Sequence, residues 1–329
     1  MNACGRLPEG NRSAAVGTPY VGAAVAIGST SVHFSVASVG GHVVTLLADE
    51  SVLLGLGGIV DRAGRLPDDQ RQGLIDALLR YAAAAAALRA ADLTFVATEP
   101  LRRAVDANDI QLAVHAATGR TLHVLSHEEE GLLSLIGATL GRRPDADVLV
   151  VDIGGGSSEY VLAGPDRDPR AAGLPIGAAR LTADVVAHDP PTPSEIAELR
   201  VVAKRHLASA ERAHPGQIVF VGGTASNLAK VVPSATADHV LTRRRLAAAL
   251  RTLGSHPAEA TAARFGISRL RASILPAGAA IVGAFLDRYA VPQGQVSEAS
   301  IREGTILAVA RAGDRWRERL PELTRGWWD

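Results

Sequence analysis

The chain has 329 residues, 47% hydrophobic and 21% charged, and its 34 basic and 34 acidic side chains leave a formal net charge of zero. That is length enough for two α/β domains, and the charge balance gives no reason to expect DNA, RNA or an anionic membrane as a partner. A single cysteine, Cys4, excludes a disulfide framework and a cysteine metal site; with no apolar run of about 18 residues and no apolar core in the first twenty, the expected location is cytoplasmic and no membrane span is predicted.

Residues 1–20 read as a flexible leader. The stretch Ala23–Ala37 then reads as strand, turn, strand, with Gly28, Ser29, Thr30 and Ser31 at the turn. Val43–Leu54 supplies a third strand, and Leu54–Gly58 reads as a loop. Pro67 starts a helix that runs from Asp68 to Leu88 with one Leu/Ala face. Leu93–Ala97 is a strand. Thr98 has N-cap chemistry and Pro100 suits a first turn, so a helix carrying Arg102 is expected to continue past Asn108, with another over 109–118. His123–Leu125 is a short strand. Ser126 then opens a helix with His127, Glu128, Glu129 and Glu130 in its first turn. These glutamates have a structural explanation, with Ser126 as cap, Glu129 as capping-box partner and the rest complementing the helix dipole. The alternative is that one of them faces a cleft as a general base.

Residues 148–163, VLVVDIGGGSSEYVLA, are the most informative stretch. An apolar strand ends at Asp152. Gly154, Gly155 and Gly156 follow, then Ser157, Ser158 and Glu159, and a second strand. Glycines without Cβ let backbone N–H groups turn toward an anion, and an Asp at a strand end suits a divalent cation. A ligand-free hairpin would read the same way, but Gly28 and Gly154, 126 positions apart, begin two similar turns, which favours two like halves facing a shared cleft. Further on, Leu174–Leu181 leads from a strand end into a helix. A helix capped by Ser194 is predicted to about Arg212. A buried strand, Ile218–Val221, runs into Gly222, Gly223 and Thr224 at a helix start, which is either an anion site or a plain helix start. Helices are expected over 241–253, over 258–265 and from about Ser273 to Tyr289, then a strand at 295–297 and a last helix from Ile301 to about Arg319. Trp316, Trp327 and Trp328 read as a surface flap. The alternation of strands and helices predicts an α/β fold.

Taken in order, Ile27–Ser31, Leu54-Gly55, Ala97-Thr98 with Leu101, Arg102 and Ala104, Ser126–Glu130, Asp152–Glu159, Leu174–Leu181, Gly222–Ala229, Leu275–Ala279 and Arg302–Gly304 resemble the exopolyphosphatase / guanosine pentaphosphate phosphohydrolase (Ppx/GppA) family in its short two-domain form. The resemblance covers nearly all of 22–311. It implies two ribonuclease-H-like domains of the actin-like, sugar-kinase and Hsp70 ATPase superfold, at 21–140 and 141–300, flanking a central cleft, with a C-terminal helix in 301–329 on the N-terminal domain. It implies Mg²⁺-dependent removal of terminal phosphate from inorganic polyphosphate, or of the 5′-phosphate of pppGpp. A homodimer is a further implication.

By the same resemblance Glu129 is the catalytic glutamate, with Glu130 the second candidate. Asp152 and Glu159 hold Mg²⁺. Gly28, Ser29, Thr30 and Ser31, Gly154, Gly155, Gly156, Ser157 and Ser158, and Gly222, Gly223 and Thr224 are phosphate-binding, and Arg102 contacts phosphate. The chain departs from the family pattern at Ala26, where an aspartate is usual, at Glu99-Pro100 (Ser-Ala), at His127 (Gly) and at Ser273 (Asp). Ala26 favours a rival reading, a weakly active or inactive sensor of (p)ppGpp or polyphosphate. A kinase of the same superfold is a third reading, disfavoured by the Glu129-Glu130 pair.

Overall fold

The computed structural model of the chain describes residues 19–40 and 43–327; Cys4, Trp328 and nearly all of the expected leader lie outside them. The first half contains strands β1 (Tyr20–Ile27), β2 (Ser31–Gly40), β3 (Val43–Leu53), β4 (Asp92–Ala97) and β5 (Leu122–Val124), with helices α1 (Leu56–Ala63), α2 (Asp68–Ala87), α3 (Glu99–Arg103), α4 (Ala107–Thr118) and α5 (His127–Thr139). The second contains β6 (Val148–Ile153), β7 (Ser158–Gly164), β8 (Arg167–Leu174), α6 (Ala178–Val185), α7 (Pro193–Leu207), β9 (Gln217–Val221), α8 (Gly222–Val231), α9 (Pro233–Asp238), β10 (Val240–Thr242), α10 (Arg243–Ser255), α11 (Ala258–Phe265), α12 (Arg269–Arg288) and β11 (Gln293–Val296). Helix α13 (Ile301–Ala312), a 3₁₀ turn and α14 (Leu320–Leu323) close the chain.

The sheets run β3-β2-β1-β4-β5 and β10-β11-β9-β6-β7-β8. Without β10 the two orders correspond, an antiparallel hairpin followed by parallel strands. The expected repetition of the α/β half is therefore present. Its two hairpin turns close alike, by Gly28 N–H to Ser31 O and by Gly154 N–H to Ser157 O, both at 3.0 Å.

Strand alternation decides what each sheet face buries. Ala23, Val25 and Ile27 of β1 join the core under α2, whereas Ala24 and Ala26 join a core shared with α5 and α13. In β6, Leu149, Val151 and Ile153 face the α12 side, whereas Val148 and Val150 face α5. Helices α5 and α13 thus form a layer between the two sheets. They cross at glycines: a Cβ on Gly304 would stand 1.9 Å from Leu133 O, and one on Gly137 2.0 Å from Ser300 O.

Several expected elements differ. Residues 56–58 belong to helix α1, which Gly55 can enter because it holds a left-handed φ of 62°. Helix α3 stops at Arg103 and is separate from α4; Thr98 donates its hydroxyl to Ile27 O instead of capping. Thr192, with Glu195 as its capping-box partner, caps α7 in place of Ser194. Residues 241–242 belong to β10. Ser268 caps α12, which puts Arg269 and Arg271 in its first turn. Helix α12 is long and apolar enough to cross a membrane, but most of it is buried among the other helices of its half. The helix expected to run from Ile301 to about Arg319 ends at Ala312, and Trp316 is a core residue, 3% exposed, set edge-on against His123. Trp327 packs against the same core.

Candidate active site

Both halves line one cleft of ≈ 510 Å³, into which the β1–β2 turn, the β6–β7 turn and the start of α8 converge. Gly28, Ser29, Thr30, Ser31, Gly154, Gly155, Gly156, Ser157, Gly222, Gly223 and Thr224 all border it. Ser158 does not: it is fully buried and donates to Ile176 O at 2.6 Å, because β7 alternation turns it into the core. The start of α8 has no side-chain cap. Gly222 holds φ 81°, and a Cβ there would meet Asp152 Oδ1 at 2.5 Å, so glycine is required on both counts.

Asp152, next to last in β6, stands at the cleft wall, and Ser134 donates to its Oδ2 at 3.0 Å. Glu159 is its cross-strand partner on β7, 1% exposed and set behind the lining. Glu130 lines the cleft from α5 and is 7% exposed. Burial, together with the neighbouring acids, pushes the Glu130 carboxyl well up. Burial alone is the largest cause for Asp152, which is raised, and for Glu159, which is pushed up to about 8 despite the nearby Arg102.

Glu129 is elsewhere. Its carboxylate accepts from Ser126 N–H at 2.8 Å, and Arg317 grips both of its oxygens. Those contacts hold it below the ordinary carboxylate range, although burial opposes them. It does not line the cleft. Successive residues on a helix point about 100° apart, so once the capping box claims Glu129, Glu130 faces inward. Glu129, expected in the cleft, thus sits in the helix cap, and of the two candidates only Glu130 faces the cleft.

Arg102 likewise is not a free phosphate ligand. It stands behind the lining, with Nη1 bonded to Glu130 Oε2 at 2.5 Å and to Leu125 O at 2.9 Å. Its Nη2 reaches His127 Nδ1 at 3.0 Å and Glu159 Oε1 at 3.3 Å. His127, the residue standing where glycine is usual, also lies 2.7 Å from Glu159 Oε1. Arg102 therefore orients two carboxylates.

The opposite wall carries Arg271 and Arg302, with Asp49 and Glu50 of β3 beside them and Asp49 paired to Arg302. Arg271 reaches across from α12 to Ser31 Oγ at 2.8 Å and His33 Nε2 at 2.9 Å. Burial, with Arg302 and Arg271 nearby, pushes His33 down to about 3, so it is neutral. Ala26, the Cα partner of His33, lines the same wall. The sequence pattern singled out neither His33 nor Arg271. Glu99, noted there only as a departure from the family pattern, is 3% exposed at the cleft.

Among the described residues no three acidic or histidine side chains converge as a metal cage. Glu159 Oε2, however, is buried without a hydrogen-bond partner beside Asp152. A carboxylate pair with an orphaned oxygen fits a hard ion such as Mg²⁺, which takes one or two carboxylates and completes its shell with water and phosphate.

The profile of the Ppx/GppA phosphatase family matches residues 35–312. The chain is 30% identical over 301 residues to "Exopolyphosphatase 1" of Mycobacterium tuberculosis, covering 85% of this chain and 86% of that protein. It is 30% identical over 322 residues to "Exopolyphosphatase 2" of the same organism, covering 88% and 98%. The crystal structure of the Aquifex aeolicus Ppx/GppA family member superposes with a TM-score of 0.77 at 27% identity, over 90% of this chain and 99% of that one.

Proposed function

The chain belongs to the Ppx/GppA phosphatase family, with the two-halved fold of the actin-like superfold, and on that premise we propose that it is a Mg²⁺-dependent phosphoanhydride hydrolase that removes terminal phosphate from inorganic polyphosphate. The observation that carries this reading is Glu130, held by Arg102 at the wall of a cleft whose other sides are glycine turns and Asp152. Phosphoryl transfer asks mainly for positioning and charge neutralisation, and those parts are what the cleft offers.

In the proposed reaction the backbone N–H groups of the two turns and of α8 hold the terminal phosphate. Glu130 orients a water and takes its proton as the water oxygen bonds to phosphorus and the bridging P–O bond breaks. Its raised pKa brings the base toward the working pH, where general-base catalysis is most effective. Arg102 keeps Glu130 and Glu159 in place. Asp152 and Glu159 would hold Mg²⁺, which when bound neutralises phosphate charge. The Arg271 guanidinium at the cleft wall suits the remainder of the chain. The 5′-phosphate of pppGpp presents the same anhydride and is the second substrate in this proposal; a cytoplasmic setting, where both substrates occur with Mg²⁺, belongs to it.

Ala26 favours one rival, a binder that hydrolyses slowly for want of an acidic side chain at that position of β1. Phosphate release from polyphosphate and from pppGpp, with Mg²⁺ and with EDTA, separates the two. Metal-dependent release supports the hydrolase. Tight binding without release supports the binder.

A further inference from the structure

Glu99 occupies an unusual place for a carboxylate. It is the first residue of α3, 3% exposed, and it borders the cleft where the two glycine turns meet. Ser29 donates to its Oε2 at 2.7 Å. A Cβ on Gly156 would lie 2.2 Å from the same oxygen, and one on Gly155 would lie 2.5 Å from Thr30 Oγ1. The turns are thus in direct contact, with the carboxylate between them. On its other side Oε1 accepts from Arg103 at 2.6 Å and from Arg180 of α6, and both arginines also face Asp61. Arg103, Arg180 and Asp61 do not line the cleft and are partly exposed. Glu99 therefore separates the cleft from a pair of cations at the surface.

We propose that Glu99 is a built-in anion that takes the place of one phosphate group between the two turns and so ends the substrate track there, making it a specificity-determining residue. The inference rests on the polyphosphate reading for its substrate class, but its geometry does not depend on hydrolysis. Three features support it. The Ser29 hydroxyl, expected to meet phosphate, bonds this carboxylate instead, and the carboxylate fills the space beside Gly156. Its three polar partners hold it ionised against the effect of burial. Finally, a substrate phosphate at this point would face a like charge inside a protein, where repulsion is far stronger than in water. The chain must then leave by the Arg271 side, and the two surface arginines are withheld from it.

The test is equilibrium binding of pyrophosphate to the wild type, Glu99→Ser and Glu99→Gln, by calorimetry in the presence of Mg²⁺. Glu99→Ser vacates the position and frees two arginines, so pyrophosphate should bind about tenfold tighter, the size of one charge-assisted contact. Glu99→Gln keeps the shape, removes the charge and should show a smaller gain in the same direction. Thermal melts establish that each variant is folded. If the serine variant does not fold, the glutamine variant decides, and binding no tighter than wild type overturns the proposal. Equal binding by wild type and a folded Glu99→Ser overturns it as well. Phosphate release by the wild type is measured separately. Its absence counts against the hydrolase reading, while a gain in pyrophosphate binding still establishes the built-in anion.

Discussion

Arg102 Nη1 lies 2.5 Å from Glu130 Oε2, while the adjacent Glu129 is gripped by Arg317 on the far side of the same helix turn. Neighbours in sequence thus serve different ends, one in the cleft and one in the cap. Glu130→Gln should lower phosphate release by roughly 10²–10⁴-fold, the usual worth of a positioned base, with little change in melting temperature. Glu129→Ala should cost about 1 kcal/mol of stability, as for a lost cap, and leave turnover within a small factor of wild type. Reversal of that ranking would return the catalytic role to Glu129.

The buried acids make stability depend on pH. The folded protein raises Glu159 from its ordinary 4.5 to about 8, so between those values it keeps a proton that the unfolded chain has lost. Its contribution to stability is therefore full below about 4.5, falls as pH rises toward 8 and levels off above it, whereas His33, lowered from 6.5 to about 3, contributes in the opposite sense below 6.5. Glu130 and Asp152, also raised, act in the same direction as Glu159. Urea unfolding of the Mg²⁺-free protein should show this decline above about 6.5, and Glu159→Gln should reduce its slope. A Glu159→Gln profile no flatter than that of the wild type between about 6.5 and 8 contradicts the assigned burial. Added Mg²⁺, which needs ionised carboxylates, should stabilise more at pH 8 than at pH 6.

Ala26 places no carboxylate opposite His33 on β1; the acids of that wall, Asp49 and Glu50, lie on β3, and Asp49 is paired with Arg302. Ala26→Asp should place one on β1, within the field of Arg271 and Arg302 that already acts on His33. The expected outcome is faster release and half-saturation at several-fold less Mg²⁺. An unchanged rate and metal requirement would mean that the missing acid does not limit the reaction.

Gly304 and Gly137 let α13 and α5 meet backbone to backbone between the sheets. Gly304→Ala forces a methyl group against Leu133 O, and overpacking of this kind costs about 1–3 kcal/mol. Because α5 carries Glu130, activity at moderate temperature should fall with it. A variant as stable and active as wild type would show that the helices separate freely.

The glycine turns were legible because an apolar strand running into glycine and hydroxyl residues has few other uses. The repeat was legible because the second turn has a counterpart at Gly28. Which of two adjacent glutamates faces inward was not, although the capping-box spacing from Ser126 to Glu129 carried the clue: a carboxylate bonded to its own helix start is unavailable for chemistry. Arg102 was found by motif, but its partners come from 23 to 57 positions away, beyond any local pattern. Glu99 was opaque for the same reason, since Ser29 and Arg180 reach it only through the fold. Residues 56–58 were misread because glycines suggest a loop, whereas here Gly55 supplies the left-handed residue that starts a helix. Trp316 joined the core because the chain folds back after Ala312, which no periodicity announces.

The most direct measurement is phosphate release from polyphosphate by the wild type and Glu130→Gln, each with Mg²⁺ and with EDTA. Release by the wild type with Mg²⁺ alone, lost in Glu130→Gln while polyphosphate still binds, is the predicted result. Equal release by both proteins, or none from the wild type under any condition, would contradict the role assigned to Glu130 and the cleft around it.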